Sequence, residues 1–497
     1  MADDKTSLWR RRSAVRSGLL TGMGSIVLSA AGAAAGALLA HRFGRNARTD
    51  GFLAAYAVYL VLTLAAQSFR MVVLPDLTRA AGEDRLGAES RAYALALLAF
   101  AVPASALVIA FSHPLGDTIT GSLPHESAVI AAQALVWLVP CGFVQLLAAI
   151  AASALAARDS YGVAALGYAL GGVSGFVLFA VLSTSHGLIS LAWGLALNAA
   201  LTLCVPVVGL VVRRWLHGGG HVPLDTLGRL WRLVQGAAVP VALQLFYVIA
   251  LRAAAGLGIG QVTSLSYAYI LSAVFVQATA FSLGLISSAP LTRRGVDADA
   301  AASHVVHSAW VSLTLVGAAA GVFALVGGDI AHLVLGDAFS GAAGGEFGRL
   351  IVELAPYMVA AATFSVAFPL VFVLGVPRVL VPLAVVAIAL DIPLAFGLAK
   401  VGGLGGLAAN LAIATVAVVA VILYALSPQV LSTVTYGVLR LALVVGATTA
   451  IAFWIPSLVL GSAAAAAVGL LVYAGLLAAA LRPLGLSEAW AYVRALH

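Results

Sequence analysis

Charged residues are scarce in this chain: they make up 9% of its 497 residues, against 62% hydrophobic, where a soluble domain is about a quarter charged. That shortage excludes a soluble fold, which has no way to cover so much apolar surface. Cysteine is scarcer still. The two present, Cys141 and Cys204, both lie in apolar runs, which excludes a disulfide framework and a CxxC metal site. The ten histidines form no HExxH pattern and sit mostly at the ends of apolar runs, so no metal site is expected. No Walker sequence is present, which removes ATP as the direct energy source. No polar stretch is long enough for a soluble catalytic module, and no acidic or histidine pair stands at a span mouth as an intramembrane transferase requires. An enzyme is therefore not expected. The net charge of +7 does not signal nucleic acid, because the basic residues gather at span ends instead of forming one stripe with aromatics.

What the chain has in abundance is apolar runs. They recur from Gly18 to Leu481, each long enough to cross a hydrocarbon core of about 30 Å as a helix. The reading is an all-α integral membrane protein of about 14 spans, at residues 18–40, 52–75, 91–112, 128–154, 160–182, 187–212, 236–257, 263–290, 305–327, 348–374, 379–399, 404–426, 432–455 and 459–481. The first run follows Lys5, Arg10, Arg11, Arg12 and Arg16; it is too long for a signal-peptide core and is read as a retained span.

With the N-terminus in the cytoplasm, 18 of the 26 lysines and arginines fall in inner segments, 5 in outer segments, and 3 (Arg70, Arg252 and Arg440) within spans. The positive-inside bias then puts both termini in the cytoplasm. Arg70 and Arg440 lie within about two turns of the cytoplasmic interface, where they can snorkel. The longest inner connection, residues 213–235, holds an amphipathic stretch (Leu227, Leu230, Trp231, Val234) expected to lie along the interface.

Two tripeptides recur at nearly one shift. Leu77-Thr78-Arg79 returns as Leu291-Thr292-Arg293, 214 residues on, and Leu138-Val139-Pro140 returns as Leu354-Ala355-Pro356, 216 residues on. Equal shifts at equivalent span positions indicate duplication. The expected organisation is a basic N-terminus (1–17), an N-lobe of six helices (18–212), the linker (213–235), a C-lobe of six helices (236–426), and two further helices with a cytoplasmic tail (427–497). Because six is even, the lobes form a parallel pseudo-repeat about an axis along the membrane normal, an arrangement of alternating-access transporters.

Four stretches carry a resemblance to a known family: Arg42-Phe43-Gly44 with Thr49-Asp50-Gly51-Phe52-Leu53-Ala54-Ala55; Val73-Leu74-Pro75-Asp76-Leu77; Leu251-Arg252-Ala253-Ala254-Ala255 with Ser264-Leu265-Ser266-Tyr267-Ala268; and Ala289-Pro290-Leu291-Thr292. In these the chain resembles the MviN/MurJ-type lipid II flippases of the multidrug/oligosaccharidyl-lipid/polysaccharide exporter superfamily. The resemblance implies two lobes in a V, a groove at spans 13 and 14 for a lipid tail, and residence in the bacterial cytoplasmic membrane. The chain departs from the family in its arginines: residues 28–36 and the first half of span 2 carry none.

The resemblance makes Arg252 a grip for a pyrophosphate, with an interhelix salt bridge as the alternative, and places Tyr267 beside the substrate. Arg42, Arg45 and Arg48 beside Asp50 form an outer basic cluster that either receives a head group or is a solvated loop; Asp50 is also a candidate N-cap for span 2. Asp391 is the one acid deep in a span. It is a candidate site for Na⁺ or a proton, with Asn410 and Thr415 as oxygen ligands, or a partner for Arg252. The expected activity is alternating-access translocation of a lipid-linked, undecaprenyl-pyrophosphate type cell-wall precursor such as lipid II, driven by Na⁺, H⁺ or membrane potential. No cofactor is expected; the partners are that lipid-linked glycan, membrane lipids and cell-wall synthesis proteins. The alternatives are a cation-coupled exporter of amphiphilic small molecules and a noncatalytic scaffold for cell-wall assembly.

Overall fold

A computed structural model describes residues 27–216, 225–276, 298–373 and 377–480. The basic N-terminus, the start of the first expected span, the end of the eighth with Leu291-Thr292-Arg293, and the tail beyond residue 480 lie outside the described residues. Among the described residues every regular element is helical. Within the described residues eleven helices are long and apolar enough to cross a membrane, and two shorter apolar helices, Val27–Phe43 and Gln261–Val276, accompany them. The chain is a multi-pass α-helical membrane protein, and it divides into two compact units, Met1–Val248 and Ile249–His497.

The first unit holds α1 (Val27–Phe43), α2 (Ala47–Gly82), α3 (Leu86–Ala110), a short α4 (Ser112–Thr120), α5 (His125–Ala156), α6 (Tyr161–His186), α7 (Ile189–Val212) and the first part of α8 (Thr226–Ala254). Helix α5 is its hub, packed on α2, α3, α4 and α7. Lipid tails are as apolar as leucine, so helices in a bilayer associate through close packing and hydrogen bonds between them. Both occur here. A Cβ on Gly51 of α2 would fall 2.1 Å from the Ser127 carbonyl oxygen of α5, and the Ser127 hydroxyl donates to the Ala47 carbonyl at 2.7 Å. Helices α6 and α7 meet in the same way at Gly175 and Gly194.

A polar network fastens α8 to α2 and α3. Arg229, almost wholly buried, donates from Nη2 to both carboxylate oxygens of Glu89 at 3.0 Å and lies 5.4 Å from the Tyr93 ring centroid. The Tyr93 hydroxyl donates to Asp76 at 2.5 Å, and Arg232 donates to the same carboxylate oxygen at 3.1 Å. The amphipathic stretch of the linker is the start of a helix that runs from Thr226 into the following span, with Arg229 and Leu233 turned inward and Leu227, Trp231 and Val234 exposed. Removing one partner of a buried pair leaves the other charge unpaired, at a cost of about 3 kcal/mol. Glu89→Gln is therefore expected to lower the thermal unfolding midpoint in detergent by several degrees. Glu83→Gln, which breaks a half-exposed pair with Arg85, leaves it within measurement error.

The second unit holds the end of α8, α9 (Gln261–Val276), α10 (Ala298–Leu335), α11 (Gly341–Glu353), α12 (Ala355–Val373), α13 (Leu380–Leu426), α14 (Pro428–Ser457) and α15 (Ser462–Ala480). At 47 residues, α13 is about 70 Å long at 1.5 Å per residue, more than two hydrocarbon cores. It breaks at Gly403, whose φ of 57° and ψ of −135° are not helical, so its halves correspond to the two spans expected at 379–399 and 404–426. Helices α14 and α15 pack on α10 through Leu313, Leu441, Val445, Phe453 and Tyr473, and the Tyr473 hydroxyl donates to the Thr314 carbonyl at 2.7 Å.

The repeated Leu-x-Pro tripeptides fall at matching offsets: α5 begins at His125 and reaches Pro140, and α11 begins at Gly341 with Pro356 at the same remove, in α12. The helix runs on through Pro140 but turns at Leu354 in the second copy.

Candidate functional site

A groove of about 790 Å³ lies within the second unit, between α10, α12, the second half of α13 and α14. Ala320, Val359, Val419, Ala442 and Gly446 are among the residues that floor it. Among the described residues its polar side chains are Thr363, Thr435, Thr449, Ser457 and the indole of Trp454, and none that lines it is charged. A Cβ at Gly446 would meet nothing within 4 Å, so the backbone there borders open space. A volume of this size suits an extended hydrocarbon chain or a drug-sized apolar molecule. Without a charge, it offers nothing to hold a phosphate.

In the same unit, Asp391 in the first half of α13 and Asn410 in the second half come together across the Gly403 break. The Asn410 amide Nδ2 donates to Asp391 Oδ1 at 3.0 Å, and both side chains are buried. Asp391 Oδ2 and Asn410 Oδ1 are buried with no hydrogen-bond partner. Two unsatisfied oxygens on one hydrogen-bonded pair are costly in a low-dielectric interior and are the donor type a hard cation or a proton takes. Asp391 does not pair with Arg252: one of its oxygens takes Asn410 and the other no hydrogen bond. Thr415 is buried too, but five residues beyond Asn410 it points about 140° away around the helix. Among the described residues no cluster of three histidine, cysteine or acidic side chains stands ready for a metal.

Arg252 is half-buried in the last turn of α8, where a cation complements the helix dipole. Tyr267 is buried in α9 with its ring edge-on to Phe339, 5.7 Å between centroids, and Phe339 is edge-on in turn to Phe347. In the first unit, Arg42 and Arg48 are exposed and Arg45 half-buried at the turn between α1 and α2. Arg42 reaches across to donate to the Ser183 hydroxyl of α6. Asp50 is fully buried in the first turn of α2 and is not its cap. Asn46 is: its Oδ1 accepts from the Thr49 amide at 3.1 Å. Asn46→Ala should cost about 1 kcal/mol, read as a lower unfolding midpoint.

No family profile matches the sequence, and no curated protein sequence matches it. Solved structures do. A structure of the lipid II flippase MurJ in an inward closed conformation aligns with a TM-score of 0.74 at 16% identity, over 94% of this chain and 99% of that one. In fold, this chain resembles a lipid II flippase. An inward-facing multidrug resistance MATE transporter of the MOP superfamily follows at a TM-score of 0.64 and 13% identity, over 84% of this chain and 95% of that one. A MOP superfamily transporter from Pyrococcus furiosus aligns at 0.60 and 14%, over 86% and 95%. Identities this low carry the fold and leave substrate open, so the chemistry of the site must be argued from this chain's own residues.

Asp391 and Asn410, which the fold brings into hydrogen-bond contact, are conspicuous in the sequence because a lone acid stands out in an apolar run. Sequence reading missed the groove lining and the Arg229 to Glu89 pair. The first consists of the residue types that also face lipid, and the second is formed by residues 140 positions apart.

Proposed function

We propose that the protein is a lipid-carrier flippase with fourteen spans, counting the two halves of α13 and the shorter α1 and α9, arranged as two parallel six-helix lobes and two added helices. In this reading it works in the bacterial cytoplasmic membrane with both termini inside, by alternating access and not by catalysis. The observation that carries the proposal is the uncharged groove of about 790 Å³ at α10, α12, α13 and α14. A substrate with a long hydrocarbon tail has a use for such a groove; a compact hydrophilic solute has none. The substrate proposed is an undecaprenyl-pyrophosphate-linked glycan, lipid II or a relative, whose head group crosses while the tail stays apolar.

Arg252 is proposed as the pyrophosphate contact, and Arg42, Arg45 and Arg48 as the outer head-group cluster. Asp391 with Asn410 is proposed as the Na⁺ or proton site that couples the cycle. The cation-coupled exporter of amphiphilic small molecules is the second reading, favoured by the likeness to MATE transporters. Native mass spectrometry of the purified protein, offered lipid II and an amphiphilic cationic dye in turn, separates them. Retention of the lipid-linked glycan, reduced about tenfold by Arg252→Ala, supports the flippase. Retention of the dye alone supports the exporter.

A further inference from the structure

A second cavity, of about 600 Å³, lies in the same unit between α10 and α11. It shares Ala324, Leu325 and Val352 with the apolar groove, so a polar space and an uncharged one adjoin at these three residues. Glycines create the polar part: Gly327 and Gly348 cross so closely that a Cβ on the first would fall 2.6 Å from the Cα of the second, whereas Gly345 borders open space. Into it come Asp329 and His332 of α10 and Arg349 of α11. His332 is engaged, its Nε2 lying 3.0 Å from Asp337 Oδ1. Asp329 and Arg349 are both exposed and make no ion pair among the described residues. One pocket thus presents one free cation and one free anion at the mouth of an apolar groove.

We infer that this compound cavity binds a zwitterionic phospholipid of the phosphatidylethanolamine type, its phosphate at Arg349, its ammonium at Asp329 and an acyl chain in the groove. Charge complementarity selects the head. A singly anionic phosphate answers Arg349 and leaves Asp329 facing a like charge, and a pyrophosphate worsens that repulsion. A head with one charge of each sign answers both through charge-assisted hydrogen bonds. Position agrees: the positive-inside asymmetry puts the end of α10 and the start of α11 at the outer face, where phospholipid head groups lie. The resident phospholipid would keep the groove filled while no transported tail is in it, and a tail would displace it. The inference needs only a lipid-filled groove and stands whether or not the transported substrate is a lipid-linked glycan.

The test is competitive retention. Delipidated protein in detergent is offered equal amounts of phosphatidylethanolamine and phosphatidylglycerol with the same acyl chains, and bound lipid is counted by native mass spectrometry. Phosphatidylethanolamine is expected to be retained about tenfold over phosphatidylglycerol. The exposed-site variants Arg349→Gln and Asp329→Asn, which have no packing to lose, should each remove most of that preference, and a chainless glycerophosphoethanolamine should not compete. Equal retention of the two lipids by the unaltered protein, a preference unchanged in both variants, or full competition by the chainless head group would each overturn the proposal.

Discussion

Filling the groove at Gly446 is expected to stop lipid binding and transport while leaving the protein folded. Gly446→Phe adds a side chain where a Cβ meets nothing within 4 Å, in the middle of α14, so its attachment strains no neighbour and its ring extends into the groove. Glycine is among the poorest helix formers, and phenylalanine is better by a few tenths of a kcal/mol, so the helix itself should be slightly favoured. What changes is the space available to a hydrocarbon chain. Loss of even a few buried methylene groups, at about 0.8 kcal/mol each, lowers affinity by a factor of 10 to 100 or so. Tail-dependent binding, read by retention of lipid II in native mass spectrometry, should fall by at least about tenfold with an unchanged unfolding midpoint. Gly475→Phe on α15, also in open space but outside the groove lining, is the control and should bind normally.

The second large effect is at Asp391. A carboxylate with one unsatisfied oxygen, buried against an amide oxygen that is also unsatisfied, is expensive to keep ionised in the membrane interior, and replacing such a group by a neutral one is often neutral or stabilising. Asp391→Asn is therefore expected to raise the unfolding midpoint in detergent by a few degrees, about 1 kcal/mol, while cutting transport driven by a cation or proton gradient by about a hundredfold. Stability and activity should move in opposite directions, which a purely structural carboxylate would not produce. If Asp391→Asn both destabilises the protein and leaves gradient-driven transport unchanged, the coupling role is wrong.

How far the sequence speaks depends on what contrast an element offers. A helix in a bilayer needs only length and apolarity, so the spans stand out, and even the division of the 47-residue α13 shows in the Lys400-Val401-Gly402-Gly403 interruption. Faces do not stand out. When lipid, core and groove all prefer leucine, valine, alanine and glycine, periodicity no longer marks the inward side, and the lining of the groove is indistinguishable from the surface that meets lipid. Amphipathic pattern is incomplete at α8 for a related reason: Arg229 reads as a polar-face residue although Glu89 draws it inward, and the pattern gives no sign that the stretch holding Leu227 and Trp231 continues as one helix into the next span. At the start of α2, Asp50 matches the family pattern, yet Asn46 occupies the capping position. The motif marked the turn and not the job of each residue in it.

The most direct test is translocation in liposomes. Purified protein is reconstituted with fluorescent lipid II in the inner leaflet, and emergence of the head group is followed by quenching from outside. The account predicts emergence faster than in protein-free vesicles, slowed by Gly446→Phe and by Arg252→Ala and left intact by Gly475→Phe. Emergence at the protein-free rate from correctly folded, correctly oriented protein under an imposed Na⁺ gradient, H⁺ gradient and membrane potential would contradict it.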